Sequence, residues 1–205
     1  MRQLAGQVGW CTRRANLLRH SGSRTSGRGG LTGGAVDAEV EGFAQFAVAR
    51  EQALQRTAWL LTGDWALAED LVQTALLRSW PRWERIRRQD DPEIYVRRVM
   101  VNNWASWSRR RWRGERASQA VLDSAAPGDL AAEVTGRMAV RAVLGSLTVK
   151  ERAVLVLRVF DDLSEVQVAQ VLGCPVGTVK STMARATARM RQDPRLAELL
   201  DREAQ

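Results

Sequence analysis

The chain has 205 residues, 45% of them hydrophobic and 26% charged, which is the balance of a soluble globular protein and excludes collagen-like, low-complexity and wholly disordered classes. Its formal net charge is +8 with a sequence pI near 10.9, so an anionic partner is the first expectation, nucleic acid ahead of a membrane surface. Cys11, Cys174 and His20 form no CxxC pair and no zinc-ligand spacing, so neither a structural metal nor a cofactor is expected and a cytoplasmic location fits the cysteine usage.

All but two of the 31 basic residues are arginine, Lys150 and Lys180 being the exceptions. GC-rich coding gives the same bias, so position carries more information than the total. Residues 1–37 hold Arg2, Arg13, Arg14, Arg19, Arg24 and Arg28 with a Gly/Ser-rich stretch from Ser21 to Gly34, which reads as a disordered basic arm. From Phe43 to Trp80 the apolar residues Leu54, Ala58, Leu61, Trp65, Ala68, Val72 and Leu76 recur at helical spacing. Gly63 interrupts them, predicting two packed helices with a break over Thr62 to Asp64, and Pro81 ends the second. Asp91-Pro92-Glu93 then supplies a cap, a proline at the first helical position and an acid in the first turn, opening a long helix to about Trp112. Residues 38–113 therefore read as one small helical domain.

Residues 114–130 are rich in small and polar residues and contain Pro127-Gly128, the composition of a linker. Sixteen residues from Gly114 to Asp129 reach at most roughly 50 Å at about 3.3 Å each, enough with the domains themselves to bridge two DNA elements a turn and a half apart. A second helical domain is expected over residues 131–192, with a tail at 193–205. Thr148-Val149-Lys150-Glu151 and Ser164-Glu165-Val166-Gln167 are both capping boxes, in which the hydroxyl accepts a free backbone N–H and the acid or amide reaches back. The second box opens a helix that buries Val168, Val171 and Leu172, stops at Gly173, and restarts after Pro175: a helix-turn-helix. Ala153, Val154, Leu157 and Phe160 of the preceding helix complete its core. In the last helix Val179, Met183, Ala186 and Met190 face that core, leaving Thr178, Ser181, Arg185 and Arg189, with Lys180 beside them, on the opposite face, a set able to bind phosphates and base edges. A solvated basic face would have the same composition. Gly177 to Ser181 is not a phosphate-binding loop, because no glycine stands directly before the lysine and no strand precedes the segment. The fold class is all-α.

The run from Leu155 through Asp162-Leu163-Ser164-Glu165 to Leu172-Gly173-Cys174-Pro175-Val176-Gly177-Thr178-Val179-Lys180-Ser181 resembles region 4 of extracytoplasmic-function (ECF) sigma factors, the promoter-recognition subunits of bacterial RNA polymerase in the sigma-70 family. Ala68-Glu69-Asp70-Leu71-Val72-Gln73 resembles that family's region 2.2, and Tyr95 to Asn103 leading into Arg109-Arg110-Arg111-Trp112-Arg113 resembles region 2.4, with wording similar to the actinobacterial SigE-like group. The resemblance implies two helical domains on a tether and a non-catalytic role directing core polymerase to promoters and assisting DNA opening. It implies that Asp70, Leu71 and Gln73 contact the clamp helices of the polymerase's largest subunit. Arg97, Asn102, Asn103 and Arg109 are implied to read the downstream promoter element, together with the loop from Arg82 to Asp91; Thr178, Lys180, Ser181, Arg185 and Arg189 are implied to read the upstream one. An anti-sigma factor is a further partner class of the family.

The first domain also has what opening DNA needs, namely Trp80, Trp83, Trp104, Trp107 and Trp112 interleaved with Arg82, Arg85, Arg87, Arg88, Arg97, Arg98 and Arg109, stacking platforms in a basic setting. Trp80 and Trp104 are expected in the core. The chain departs from the family pattern at Thr74, where an acid is common, and at Thr182, where an arginine is common, and the latter predicts a weaker or altered upstream contact. The alternative is a free-standing helix-turn-helix regulator that binds duplex DNA without polymerase, a reading that leaves Glu69 to Gln73 unexplained. An enzyme acting on nucleic acid lacks a nucleophile pair or carboxylate cluster, and a basic amphipathic membrane binder is the weakest reading.

Overall fold

The computed structural model describes residues 33–88, 91–114 and 131–196, with side chains described over 39–88, 91–110 and 138–196. The basic arm before residue 33, the linker at 115–130, the tail after 196 and the side chains of Arg111, Trp112 and Arg113 lie outside the described residues. Among the described residues there is no strand, as the helical periodicities predict, and no helix is long and apolar enough to cross a membrane.

Helix α1 spans Gly33–Thr62 and begins before the folded boundary expected from sequence. It ends where Gly63 adopts φ 72°, and Asp64 then caps α2, Trp65–Ser79, its carboxylate accepting from the Leu67 N–H at 2.9 Å. Pro81 sits in the single 3-10 turn Trp80–Arg82 that leads into the short helix α3, Trp83–Ile86. Helix α4, Pro92–Gly114, starts as Asp91-Pro92 dictates, with the Asp91 carboxylate accepting from the N–H groups of Glu93 and Ile94 at 3.0 and 3.2 Å. Leu54, Leu61, Leu71, Val96 and Met100 are fully buried between α1, α2 and α4, and each such side chain contributes about 1.5–3 kcal/mol of burial. Phe43 and Phe46 pack on Trp83 with ring centroids 5.1 Å apart, so Trp83 joins the core along with Trp104, while Trp80 is half-buried against Phe43.

Helix α5, Ala131–Gly145, leads to α6, Val149–Leu155, which continues into a wider π turn over Val156–Phe160. Both predicted capping boxes are complete, Thr148 with Glu151 and Ser164 with Gln167. Helix α7, Glu165–Leu172, closes on Gly173 at φ 62°, and α8, Val176–Arg191, follows Pro175. Val179 and Ala186 are buried and Met183 and Met190 pack against the core, as their spacing predicts. Phe160 departs from expectation: the π turn adds a residue to the ring between the Asp161 N–H and the Val156 carbonyl (3.1 Å) and swings Phe160 out, leaving it 41% exposed.

The two halves do not stand apart. Helix α7 packs along α4, the π turn packs on α1, and one continuous apolar core runs from Ala47 to Ala186. Arg152 fastens this contact, donating from Nη1 to the Leu61 carbonyl at the end of α1 (3.0 Å) and from Nε to the Leu144 carbonyl (2.7 Å). Its guanidinium thereby pairs the Leu61 carbonyl at the end of α1 and adds a second donor to the Leu144 carbonyl, which also accepts from the Leu147 N–H at 3.2 Å; burial pulls its pKa down from the ordinary value.

Candidate promoter and polymerase interfaces

Gly173 and Pro175 fix the angle between α7 and α8, and the buried Val168, Val171, Val179 and Ala186 hold it. The face of α8 away from this core presents Lys180, Ser181, Arg185 and Arg189 to solvent, with Thr178 half-buried. Lys180 reaches back across the turn to Glu165 at 3.5 Å, a pair 64% and 40% exposed that solvent leaves weak and free to exchange. Ser181 donates its hydroxyl to the Thr178 carbonyl at 3.2 Å, and Arg185 donates to the Thr182 hydroxyl at 3.2 Å.

Arg189 is partly committed elsewhere, lying 3.3 Å from the nearly buried Glu151 carboxylate. Burial pushes the Glu151 carboxyl up, but the backbone N–H and hydroxyl of Thr148, followed by Arg189 and Arg185, outweigh it and hold the group below its ordinary range. Thr182 lies on the inner face with 1% exposure. In this conformation the position points into the helical core and offers nothing to DNA.

On the first domain, Asp70 is exposed and Gln73 half-buried, the latter donating to Glu69 at 3.0 Å one turn earlier. Leu71 has no exposed surface; it anchors α2 to the core and orients its two neighbours, and in this conformation it has no face to offer a partner. Asp70 lines a cavity of about 980 Å³ between the two halves, with Leu61, Trp104, Trp107, Leu147 and Arg152 in its walls. The loop after α3 carries two exposed arginines, both held by Glu84: Arg87 at 2.5 Å, and Arg88. Hydrogen bonds from these two, Arg87 foremost, draw the Glu84 carboxyl down to about 2.

Helix α4 splits the downstream set in two. Asn102 and Arg109 are exposed. Asn103 is 5% exposed, accepting from Arg78 through its side-chain oxygen, and Arg97 is 4% exposed within a network of charges. In this conformation neither Arg97 nor Asn103 reaches a ligand, because their positions on α4 face α2 and the second domain instead of solvent. Sequence reasoning missed Asp161, whose carboxylate lies 2.9 Å from Arg97 Nε and accepts from the Thr57 hydroxyl at 2.6 Å. An acid in the loop that precedes the helix-turn-helix carries no sequence signal for a partner 64 positions away.

Among the described residues, the all-helical fold with a helix-turn-helix behind a Trp- and Arg-rich helical domain suits a nucleic-acid-binding transcription protein, and the known families identify which. Residues 48–114 match sigma-70 region 2 and residues 137–190 match sigma-70 region 4. The chain belongs to the sigma-70 family of RNA polymerase sigma factors, a class of initiation factors and not of enzymes, and lies in its ECF branch. It is 40% identical to the RNA polymerase sigma-E factor of Streptomyces coelicolor over 76% of this chain and 87% of that protein. It is 31% identical to the ECF RNA polymerase sigma factor SigL of Mycobacterium tuberculosis, over 67% and 80%. Among solved structures, the sigma factor RpoE of Bartonella quintana, in complex with the anti-sigma factor NepR, superposes with a TM-score of 0.60 at 24% identity, covering 78% of this chain and 98% of that one. CnrH, in complex with the cytosolic domain of CnrY, gives 0.54 at 23%, covering 78% and 87%. Its partners are core RNA polymerase and promoter DNA, and it acts in transcription initiation.

Proposed function

We propose that the division of labour within this sigma factor follows the exposed groups. Lys180, Ser181, Arg185 and Arg189, with Thr178, read the upstream element; Asn102 and Arg109 contact the downstream element, joined by Arg97 once the second domain leaves α4 and by Asn103 once α2 also shifts against α4; Asp70 and Gln73 meet core polymerase, with Leu71 positioning them. The single observation that carries this reading is the α8 face, where three cationic side chains and a hydroxyl share the side of a helix whose other side is packed into a helix-turn-helix. Side chains so placed can enter a major groove without disturbing the core. The protein acts in the cytoplasm, where polymerase is found, and an anti-sigma factor is a further partner class drawn from the family resemblance.

Run-off transcription tests the assignment, using the purified chain, core polymerase lacking other sigma factors and a promoter-fragment library from the host genome. Defined transcripts that require both proteins, and that Arg185→Ala redistributes among promoters, support it. A chain that footprints duplex DNA alone and never binds core returns the free-standing regulator.

A further inference from the structure

In the closed arrangement an ion network at the interface between the halves ties up Arg97, one of the residues assigned above to the downstream element. Arg50 meets Glu93 at 3.1 Å, Glu93 meets Arg97, and Arg97 meets Asp161 at 2.9 Å. The side chains of Arg97 and Asp161 are each 5% exposed, and Thr57 on α1 donates to the other Asp161 oxygen at 2.6 Å. Burial works against charge on Arg97, and the Asp161 carboxylate and then Glu93 more than offset it, so the guanidinium is held more firmly protonated than in water. Both Asp161 oxygens are satisfied, and removing either member of such a pair leaves an uncompensated buried charge. The carboxylate is delivered by the π turn and by the neighbouring Asp162 at φ 51°, a left-handed value unusual for a non-glycine residue. Helix α7 covers the same stretch of α4, so close that a Cβ on Gly173 would stand 3.7 Å from Arg98 Nη2.

We propose that Asp161 is an intramolecular latch: it occupies Arg97 as a nucleic-acid phosphate would, clamps the helix-turn-helix domain over α4, and keeps the unbound protein closed until polymerase or DNA separates the halves. The closure stands on the interface alone. Its consequence for DNA rests on the assignment of Arg97 to the downstream element. Only the open fraction binds through Arg97, so the apparent affinity is reduced by that fraction.

Single-molecule energy transfer on the full chain tests the latch. Dyes are placed at Leu77→Cys and Met138→Cys, exposed positions on opposite halves, with Cys11 and Cys174 replaced by serine and alanine. The otherwise unaltered chain should show one dominant high-transfer population, and Asp161→Asn should shift the closed-to-open ratio at least tenfold toward open. Thr57→Val, which removes the second anchor of the same carboxylate, should shift it in the same direction by less. Asp162→Asn makes the same change of charge on the exposed neighbouring residue and should leave the ratio unaltered. A broad low-transfer distribution before any latch substitution, or Asp161→Asn that retains both high transfer and the native melting profile, overturns the latch.

Affinity for a 30-base-pair duplex with a single-stranded overhang is the second readout. Asp161→Asn should bind severalfold more tightly than Asp162→Asn, and adding Arg97→Ala should abolish the gain. Opening without that gain overturns the masking of Arg97 while leaving polymerase-dependent transcription, and hence the sigma-factor reading, intact.

Discussion

Arg189 is the residue of the α8 face whose removal should register in two assays, because it also faces a carboxylate that the fold needs. Glu151 closes the capping box of α6 by accepting from the Thr148 N–H at 3.0 Å and hydroxyl at 2.9 Å, and Arg189 is its cationic partner at 3.3 Å. The Glu151 side chain is 7% exposed and the Arg189 side chain 51%, so the pair lies between an exposed bridge worth about 0.2–1 kcal/mol and a buried one whose breakage costs about 3–5 kcal/mol. Since Glu151 keeps both Thr148 bonds, Arg189→Ala should cost about 1 kcal/mol, or roughly 2–4 °C in melting midpoint for a chain of this size. Arg185→Ala, which loses one neutral-acceptor bond to the inward-facing Thr182 hydroxyl, should cost about 0.5 kcal/mol. The folded Glu151 carboxyl titrates below its ordinary value. Its stabilisation is thus complete above the unfolded value of about 4.3 and is lost as pH falls through the folded one. Thermal unfolding at pH 7 and at pH 3 should show the Arg189→Ala difference at the first and a diminished difference at the second, with Glu151→Gln abolishing it at both. An unchanged midpoint at pH 7, or an equal deficit at pH 3, refutes the structural half of Arg189's role.

Asp70→Ala should weaken binding to core polymerase with no change in melting midpoint, whereas Leu71→Ala should lower stability by about 2–5 kcal/mol through the cavity it leaves; core-binding titration paired with denaturant unfolding separates them. Ser164→Ala should cost about 1 kcal/mol by removing the acceptor for the Gln167 N–H at 3.2 Å, read as a lower denaturation midpoint. Arg185→Ala should reduce the salt slope of promoter binding by about 0.9 if it meets a phosphate; if it meets a base, the slope stays and discrimination at one position falls by about 1–3 kcal/mol.

Local chemistry was the legible part of this fold. Thr148 and Ser164 announce helix starts through side chains that bond within three residues, Gly173 announces a stop because a left-handed conformation favours glycine, and the spacing of Val179, Met183, Ala186 and Met190 fixes which side of α8 faces inward. Thr182 shows the limit of periodicity, since a small polar side chain is compatible with either face and only the packing of α8 on its neighbours puts it inside. Leu71 shows the limit of motif reading: a position within a partner-binding motif can belong to the core that presents its neighbours.

What no helix-by-helix reading exposes is the apposition of the halves. Arg97 and Asn103 read as functional because they fall in the stretch that resembles region 2.4, and that resemblance does not distinguish a group awaiting DNA from one already held inside the protein. The structure supplies the distinction in the identity of the group that holds each, although the Asn103 side-chain nitrogen is itself buried without a partner. Asn103 is held within its own domain by Arg78, through a bond that separating the halves would leave in place. Arg97 is held by Glu93 of its own helix and by Asp161 of the other domain, so separation removes one of its two carboxylates and returns a net cationic site to solvent. The two buried members of the downstream set therefore differ in kind: Asn103 needs a rearrangement of α2 against α4 to reach a ligand, and Arg97 needs only that the second domain leave.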